Sequence, residues 1–421
     1  MIKAFKYQLR LKGSQQANFK RWSGALRWLW NRAIGEQQAR RARGEKYANY
    51  AEMCKWLTAW RNDSPTVWLA EGPLHPQQQT LKRLDAAYQR FFKKAGGYPK
   101  FKRYGDDPGM RFPDAKKVAY DPINERIKLP KVGWVRLRLS RSIAGEIRNV
   151  SVRHEGARWY ASIQTLSADV ATSSDLKPTL GLDLGINVFA AGSNGLKIDP
   201  LNAFKLHQCR LRRYQRSVSR KVKGSSNRKK AIQKLGDFHR KVARMRADWL
   251  HQLTTSIVKD HPVIALEDLK VANMSRSARG TKAVPGKKVR QKAGLNRGIL
   301  DQAWGEFARQ LEYKTQAVGG AVVYVNPAFS SQECSVCGHV DKMNRKTQES
   351  FICMACGHAE NADSNASKTI LTRGCDAWEK DHLAAGHAAT VHGETVRQPK
   401  VARPKVAVSA KWKPAEEVAH V

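Results

Sequence analysis

Two CxxC pairs, Cys334-x2-Cys337 and Cys353-x2-Cys356, stand fifteen residues apart and run almost directly into Asn361-Ala362-Asp363-Ser364-Asn365-Ala366. Four thiolates at this spacing are the ligand set of a zinc knuckle or ribbon. All four ligands are sulfur and no coordination position is left open, so the zinc is expected to be structural rather than catalytic. Gly338 and Gly357, each directly after its pair, allow the two turns. The other cysteines, Cys54, Cys209 and Cys375, are scattered, which speaks for a reducing compartment and against a disulfide framework. The segment that follows places an acid, Asp363, at the start of a helix. A closed metal knuckle beside a free carboxylate constrains the fold more than any other part of the chain.

Charge narrows the partners. Lys and Arg number 76 against 36 Asp and Glu, a formal charge of +40 over 421 residues. Such a chain repels itself unless a polyanion is present, so nucleic acid is the expected partner, with strongly salt-dependent binding. A hydrophobic content of 41% is enough for real cores and excludes a disordered polymer. No apolar run is long enough to span a bilayer, no lipidation motif occurs, and Met1–Lys6 lacks the apolar core of a signal peptide. No membrane partner is expected.

Periodicity divides the chain. Ile2, Ala4, Phe5, Tyr7 and Leu9 alternate like a strand over residues 1–12. Phe19, Trp22, Leu26, Leu29 and Ala33 then fall three and four apart, a helical stripe. Leu81, Leu84, Tyr88 and Phe91 predict a further helix over 80–92, so 13–95 reads as a helical unit with Trp22, Trp28 and Trp30 in its core. Residues 96–172 turn to short β runs split by Asp121-Pro122, Pro130-Lys131-Val132-Gly133 and His154-Glu155-Gly156. These strands predict a small barrel that also takes the first strand of the chain, which makes the helical unit an insertion. Ala171–Ser174 reads as a linker.

Beyond 175 the element order is informative. Strands are expected at Thr179–Leu184, Asn187–Ala191 and Leu196–Ile198, then two long helices separated at Gly224-Ser225-Ser226. A strand at Val263–Leu266, a helix at Trp304–Val318, a strand at Ala321–Val325 and a helix at Ser364–Leu371 follow. Three strands, helix, strand, helix, strand, helix is the order of an RNase H-like fold, with the zinc segment inserted before the last helix. Residues 373–421 lose periodicity and read as a mobile tail.

Three acids sit where such a fold would gather them. Asp183 lies in Leu180-Gly181-Leu182-Asp183-Leu184-Gly185, Glu267 ends Val263-Ile264-Ala265-Leu266-Glu267, and Asp363 opens the last helix. The first and fourth strands of an RNase H-like sheet are neighbours, and the last helix crosses their ends. Hydrolysis of a phosphodiester needs an activated water and a stabilised leaving oxygen, which two divalent cations supply together. Three carboxylates suit Mg2+ or Mn2+, which prefer hard oxygen ligands. Asp183 is the candidate bridging ligand; Asp268 points the other way along its strand. Basic residues crowd 205–246, among them Arg210, Arg213, Arg216 and Arg220, and are expected to track phosphates. Residues 276–297 hold Lys287, Lys288 and Arg290 and no acid, and read as a mobile basic loop covering the site. Lys342, Arg345 and Lys346, between the thiolate pairs, are further candidates for phosphate contact. Gln78, in a run of three glutamines, could present its amide to a base edge.

With these motifs together, the chain resembles the TnpB family of insertion-sequence transposons. The resemblance is carried by Gly181-Leu182-Asp183-Leu184-Gly185, Leu266-Glu267-Asp268-Leu269, Trp304-Gly305-x-Phe307, Ser330-Ser331-Gln332-x-Cys334 and Asp363-Ser364-Asn365-Ala366, with Tyr98-Pro99-Lys100-Phe101-Lys102 in support. It spans about 1–372. The family often has Asn where Thr369 stands and Ala where Ser367 stands. The resemblance implies a multidomain α+β and α/β chain. Its parts would be a β-barrel wedge domain (1–12 and 96–172), a helical recognition domain (13–95), a RuvC-like nuclease domain (175–328 and 360–372) and a zinc domain (329–359). It also implies a transposon-end guide RNA, a double-stranded DNA target cut beside a short motif, Asp183, Glu267 and Asp363 as the catalytic acids, and a cytoplasmic, nucleoid-associated place in a prokaryotic cell. A compact type V CRISPR effector shares these features. A DNA transposase or recombinase is disfavoured, because its acids run Asp, Asp, Glu. A non-enzymatic DNA-binding regulator remains the reading from another class.

Overall fold

The computed structural model describes residues 2–106, 108–168, 176–347 and 349–391. The linker expected at 171–174 and the part of the expected tail beyond 391 lie outside the described residues.

Strand β1 (Ile2–Arg10) leads into helices α1 (Gly13–Ala42), α2 (Tyr50–Asn62) and α3 (Leu74–Phe92). Strands β2 (Met110–Phe112), β3 (Ala119–Asp121), β4 (Arg126–Leu129), β5 (Gly133–Arg138), β6 (Glu146–Glu155) and β7 (Arg158–Leu166) follow. They form one sheet in the order β2-β6-β7-β1-β5-β4-β3, so the first strand sits between strands more than a hundred residues away. Period-two alternation puts Phe5, Tyr7 and Leu9 inside. Side chains from both ends of the sheet, Phe112 of β2 and Ile127 of β4, share a core with Phe19, Trp22 and Leu26 of α1. The edge strands β2 and β3 do not pair with each other. The ladder is therefore open and curled round one core, plugged by α1, instead of the closed barrel expected.

The stripe on α1 serves two cores. Its first half enters the sheet; Leu29, Ala33 and Ile34 pack with Met53, Leu57, Leu81, Leu84 and Tyr88 of the other two helices. Trp22 is buried, and Trp28 and Trp30 are half-buried against this helical core. Helix α3 starts at Leu74, so the glutamine run lies within it and not before it. Pro73 and Pro76 fit a helix start because first-turn N–H groups have no intrahelical partner.

The second unit holds β8 (Leu180–Leu184), β9 (Ala190–Gly192), β10 (Lys197–Ile198), α4 (Ala203–Ser219), α5 (Ser226–Asp260) and β11 (Val263–Glu267). It continues with α6 (Val271–Met274), α7 (Val289–Gln302), α8 (Trp304–Ala317), β12 (Ala321–Val325), the ribbon β13 (Ser350–Ile352) and β14 (Ala359–Asn361), and α9 (Ala362–Val391). The sheet order is β10-β9-β8-β11-β12, with β8, β11 and β12 parallel and β9 antiparallel to both its neighbours, β8 and β10. The first and fourth strands of this unit are thus neighbours. Every residue of β11 is buried, as befits a strand covered on both faces. Leu182 and Leu266 pack with Leu250, Phe307 and Leu311 on one face, and Ala265 packs with Ile370 of α9 on the other. A Cβ at Gly181 would collide with the carbonyl oxygen of Ser367 and lie 2.6 Å from the Leu371 nitrogen. Glycine there is what lets α9 lie directly on β8.

Two further expectations are corrected. The basic loop at 276–297 is helical from Val289 onward. No proline falls between Pro285 and Pro327, and Ile299 buries one face. The helix holds only the start of the irregular stretch: Lys292 Nζ donates to the Met274 carbonyl at 2.7 Å, and Asn296 Nδ2 to those of Ser275 at 2.9 Å and Arg276 at 3.2 Å. The last helix does not stop near 372 but runs to Val391. Trp378, buried, extends its packing, and no proline interrupts 363–391. Among the described residues no helix is long and apolar enough to cross a membrane.

Candidate active site and thiolate site

Leu182 pairs with Leu266 across the parallel strands β8 and β11, so Asp183 and Glu267 emerge side by side at their C-terminal ends. Asp363 enters from the first turn of α9. The Asn361 Oδ1 caps that turn, accepting from the N–H of Asp363 at 3.1 Å and of Ser364 at 3.3 Å. Burial pushes the Asp183 carboxyl up to about 7, and the charges of Glu267 and Asp363 push the same way; Arg345 and the Leu184 N–H oppose them. Glu267, only 8% exposed, is also raised by burial. Its Oε1 accepts from Ser330 Oγ at 2.5 Å, which with Arg373 favours the charged form. Arg345 reaches Asp363 Oδ1 at 3.5 Å and thus turns toward the acids. Asp268 is exposed and pairs with Lys270 at 2.5 Å.

The three acids repel, yet they do not form a closed cage. Among the described residues, only the four cysteines bring three or more ligand atoms within 4.8 Å of one another. A buried carboxylate raised by two neighbours, with a single guanidinium alongside, is short of positive charge. Hard oxygen donors with that deficit fit Mg2+ or Mn2+ held partly by water.

The thiolates fit zinc more directly. Cys334 and Cys356 Sγ lie 3.7 Å apart, Cys337 and Cys353 Sγ 3.6 Å. A tetrahedron with Zn–S bonds of about 2.3 Å has edges of about 3.8 Å. Each pair makes the same turn. The N–H of Gly338 donates to Cys334 O at 2.9 Å, and that of Gly357 to Cys353 O at 3.0 Å. Both glycines adopt positive φ, 72° and 74°, as the turn requires. The N–H of Cys356 lowers the Cys353 thiol, while hydrogen bonds to the facing sulfurs raise Cys337, so the negative charge is shared within the cluster.

The basic candidates divide. Arg213 and Arg216 are exposed on α4, and Arg220 is exposed at its C-cap. Arg210, also exposed, lies over the Phe238 ring at 5.0 Å. Lys287, Lys288 and Arg290 are exposed where α7 begins. Gln78 is half-buried on α3, in the other unit, while its neighbour Gln77 is committed to Arg61 and the Leu69 carbonyl. Sequence reasoning missed Asp301. This buried carboxylate accepts from the N–H of Phe204 at 2.9 Å and of Lys205 at 3.2 Å, capping α4 from 97 positions away. It also missed the contact of Ser330 with Glu267, although Ser330 opens the Ser330-Ser331-Gln332-x-Cys334 motif.

Three family matches run along the chain: a "Helix-turn-helix domain" at residues 1–46, the IS605 OrfB family described as "Probable transposase" at 162–278, and a "Cas12f1-like, TNB domain" at 304–370. The first description does not suit the structure, in which 13–42 is one continuous helix. The chain is 44% identical over 373 residues, 89% of its length and 92% of the relative's, to "Putative RNA-guided DNA endonuclease InsQ" of Escherichia coli (strain K12). It is 30% identical over 384 residues, 89% and 90% of the two lengths, to a "Putative RNA-guided DNA endonuclease" of Streptomyces pristinaespiralis. A more distant relative, 26% identical over 237 residues and about half of each chain (52% and 51%), is "CRISPR-associated endodeoxyribonuclease Cas12f1" of Sulfoacidibacillus thermotolerans. With 44% identity sustained over 89% of its length, the chain belongs to the IS605 OrfB family, the TnpB proteins.

Proposed function

We propose that the protein is an RNA-guided DNA endonuclease that hydrolyses phosphodiester bonds at one RuvC-type site built on Asp183, Glu267 and Asp363. The observation that carries this reading is the meeting of three acids from two neighbouring parallel strand ends and one helix start, with Asp183 pushed up to about 7. Two divalent cations, Mg2+ or Mn2+, would activate a water and stabilise the leaving oxygen. Asp183, Glu267 and Asp363 would hold the cations, with Asp183, which feels the charge of both other acids, the candidate shared ligand. Ser330 fixes the rotamer of Glu267, and Arg345 is placed to meet negative charge beside Asp363. Cys334, Cys337, Cys353 and Cys356 would hold a structural zinc.

The guide is a transposon-end RNA and the target is double-stranded DNA, read largely by base pairing, with the protein holding the heteroduplex by shape and backbone. The curled sheet is the wedge domain and α1–α3 the recognition domain. Arg213, Arg216 and Arg220 follow phosphates, and the site of action is the prokaryotic cytoplasm. The family model is described as a probable transposase, but the names of the relatives that match over most of the chain favour this reading over a transposase that joins DNA ends, and a Glu in the middle of the acidic set agrees.

Protein purified with its RNA, sequenced to identify the guide, tests the proposal. In Mg2+ it should cut DNA that carries the matching sequence, and Asp183→Ala should lower the rate at least about a thousandfold. Cleavage by Asp183→Ala at the native rate would remove the assigned site, and absence of both bound RNA and cleavage would favour the regulator.

A further inference from the structure

We propose that the thiolate element positions the carboxylate site, with Asn365 as the positioning residue that couples the two. The inference rests on the carboxylate reading above and adds a regulatory link to it.

Asn365 is fully buried and lies two residues beyond Asp363 on α9. Its Oδ1 accepts from the N–H of Ser335, inside the first CxxC turn, at 2.9 Å. Its Nδ2 donates to the carbonyl of Glu333, directly before Cys334, at 2.7 Å. Successive turns of α9 repeat the grip: Thr369 Oγ1 donates to the same carbonyl at 3.5 Å, and the Arg373 guanidinium pairs with the Glu333 carboxylate. Positions 365, 369 and 373 are one helical stripe, and all of it holds the residue that leads into the metal turn. The same stretch of chain reaches the other acid, since Ser330 donates to Glu267. The far side of the insertion sends Arg345 to Asp363.

Two of the three acids are therefore held by the segment that forms the thiolate turn. A packing role alone would call for apolar contact. Here a buried amide spends both ends on backbone groups flanking Cys334, and leaving either unpaired is costly. A change in the Cys334–Cys337 turn must move the start of α9 and Ser330 together. Cation binding at the carboxylates and the state of the thiolate turn are then linked, and the link is reciprocal.

The test uses the full chain with zinc or Co2+ in the thiolate site. Asn365→Ala should keep one metal per chain and weaken Mn2+ binding, followed by electron paramagnetic resonance, about tenfold. In the guide-RNA complex it should raise half-saturating Mg2+ by a similar factor, with saturating Mg2+ restoring most of the lost rate. Mg2+ added to the Co2+-loaded chain should shift the cobalt–thiolate absorption bands, and Asn365→Ala should abolish that shift. If Asn365→Ala fails to fold, Asn365→Asp, which keeps the acceptor for Ser335 and loses the donor to Glu333, carries the same measurements. Native Mn2+ affinity and an unchanged band shift in the folded variant would overturn the proposal. Unaltered Mn2+ binding by Asp183→Ala would instead overturn the carboxylate reading beneath it.

Discussion

Asp183 and Glu267 stand abreast at the ends of neighbouring parallel strands, one position beyond the paired Leu182 and Leu266. Folding therefore buries one acid against another, and Asp363 adds a third charge. For Asp183 the ordinary value of 3.8 becomes about 7. A raised value means that folding favours the neutral acid. That contribution is fully present below about pH 4 and is lost as pH rises through 7. Cation-free Asp183→Asn should therefore melt several degrees above the unsubstituted protein at pH 8 and match it at pH 4. Saturating Mn2+ should close the gap at pH 8 by stabilising only the protein that keeps the acid. Thermal melts at the two pH values decide this; equal melting at pH 8 without cation would mean that Asp183 is not strained by its neighbours.

Gly181→Ala should damage the same site from behind. The added Cβ meets Ser367 and Leu371 backbone atoms, which cannot swing aside as a side chain can. Overpacking of this kind costs about 1–3 kcal/mol. It should also lift α9 off β8 and carry Asp363 away from Asp183. A misplacement of about 1 Å can cost about a hundredfold in rate. Cleavage should fall by about that factor while guide-RNA affinity, measured by filter binding, holds.

The chain declares some of this plainly and hides the rest. The thiolate site is legible because its ligands are local: two turns, each closed by a glycine, set their own geometry. The acids are legible because apolar runs such as Val263–Leu266 mark buried parallel strands, and each run ends in a carboxylate. Helix α7 is hidden because its first half is basic and exposed and only Ile299 among its apolar residues is buried. The open edge between β2 and β3 cannot be read from alternation, which sets a strand's inward face but not its neighbour. The reach of α9 beyond 372 depends on residues such as Gly374, whose missing side chain allows close approach to Ala265 in a distant strand.

Asp301 illustrates the same limit and yields a prediction. Asn202, at the start of α4, has a φ of 49° and makes no side-chain cap. The Asp301 carboxylate takes over, accepting from two N–H groups of the first turn and pairing with Arg246 at 3.3 Å. Loss of a cap with a buried charge partner costs about 1–3 kcal/mol. Asp301→Ala should lower stability by that much in denaturant titration, and Asp301→Asn, which keeps one acceptor oxygen, by less. Equal stability of all three proteins would show that α4 does not depend on this cap.

The exposed arginines of α4 should reveal themselves through salt. Arg213, Arg216 and Arg220 are spaced three and four apart, so they line one face of the helix. Each phosphate contact adds about 0.7–0.9 to the slope of log affinity against log salt, because bound counterions are released. The triple change of these arginines to Gln should therefore flatten the slope for nucleic-acid binding by about 2–3. Running the titration with guide RNA alone, and then with target DNA on the assembled complex, identifies which strand α4 follows. Arg210→Gln should change neither slope by a full contact, because its guanidinium already lies over Phe238 at 5.0 Å and Tyr214 at 5.9 Å. A triple variant with unchanged slopes for both nucleic acids would make this face a solvated helix surface, and the charge that binds nucleic acid would have to be sought elsewhere, beginning with Lys287, Lys288 and Arg290.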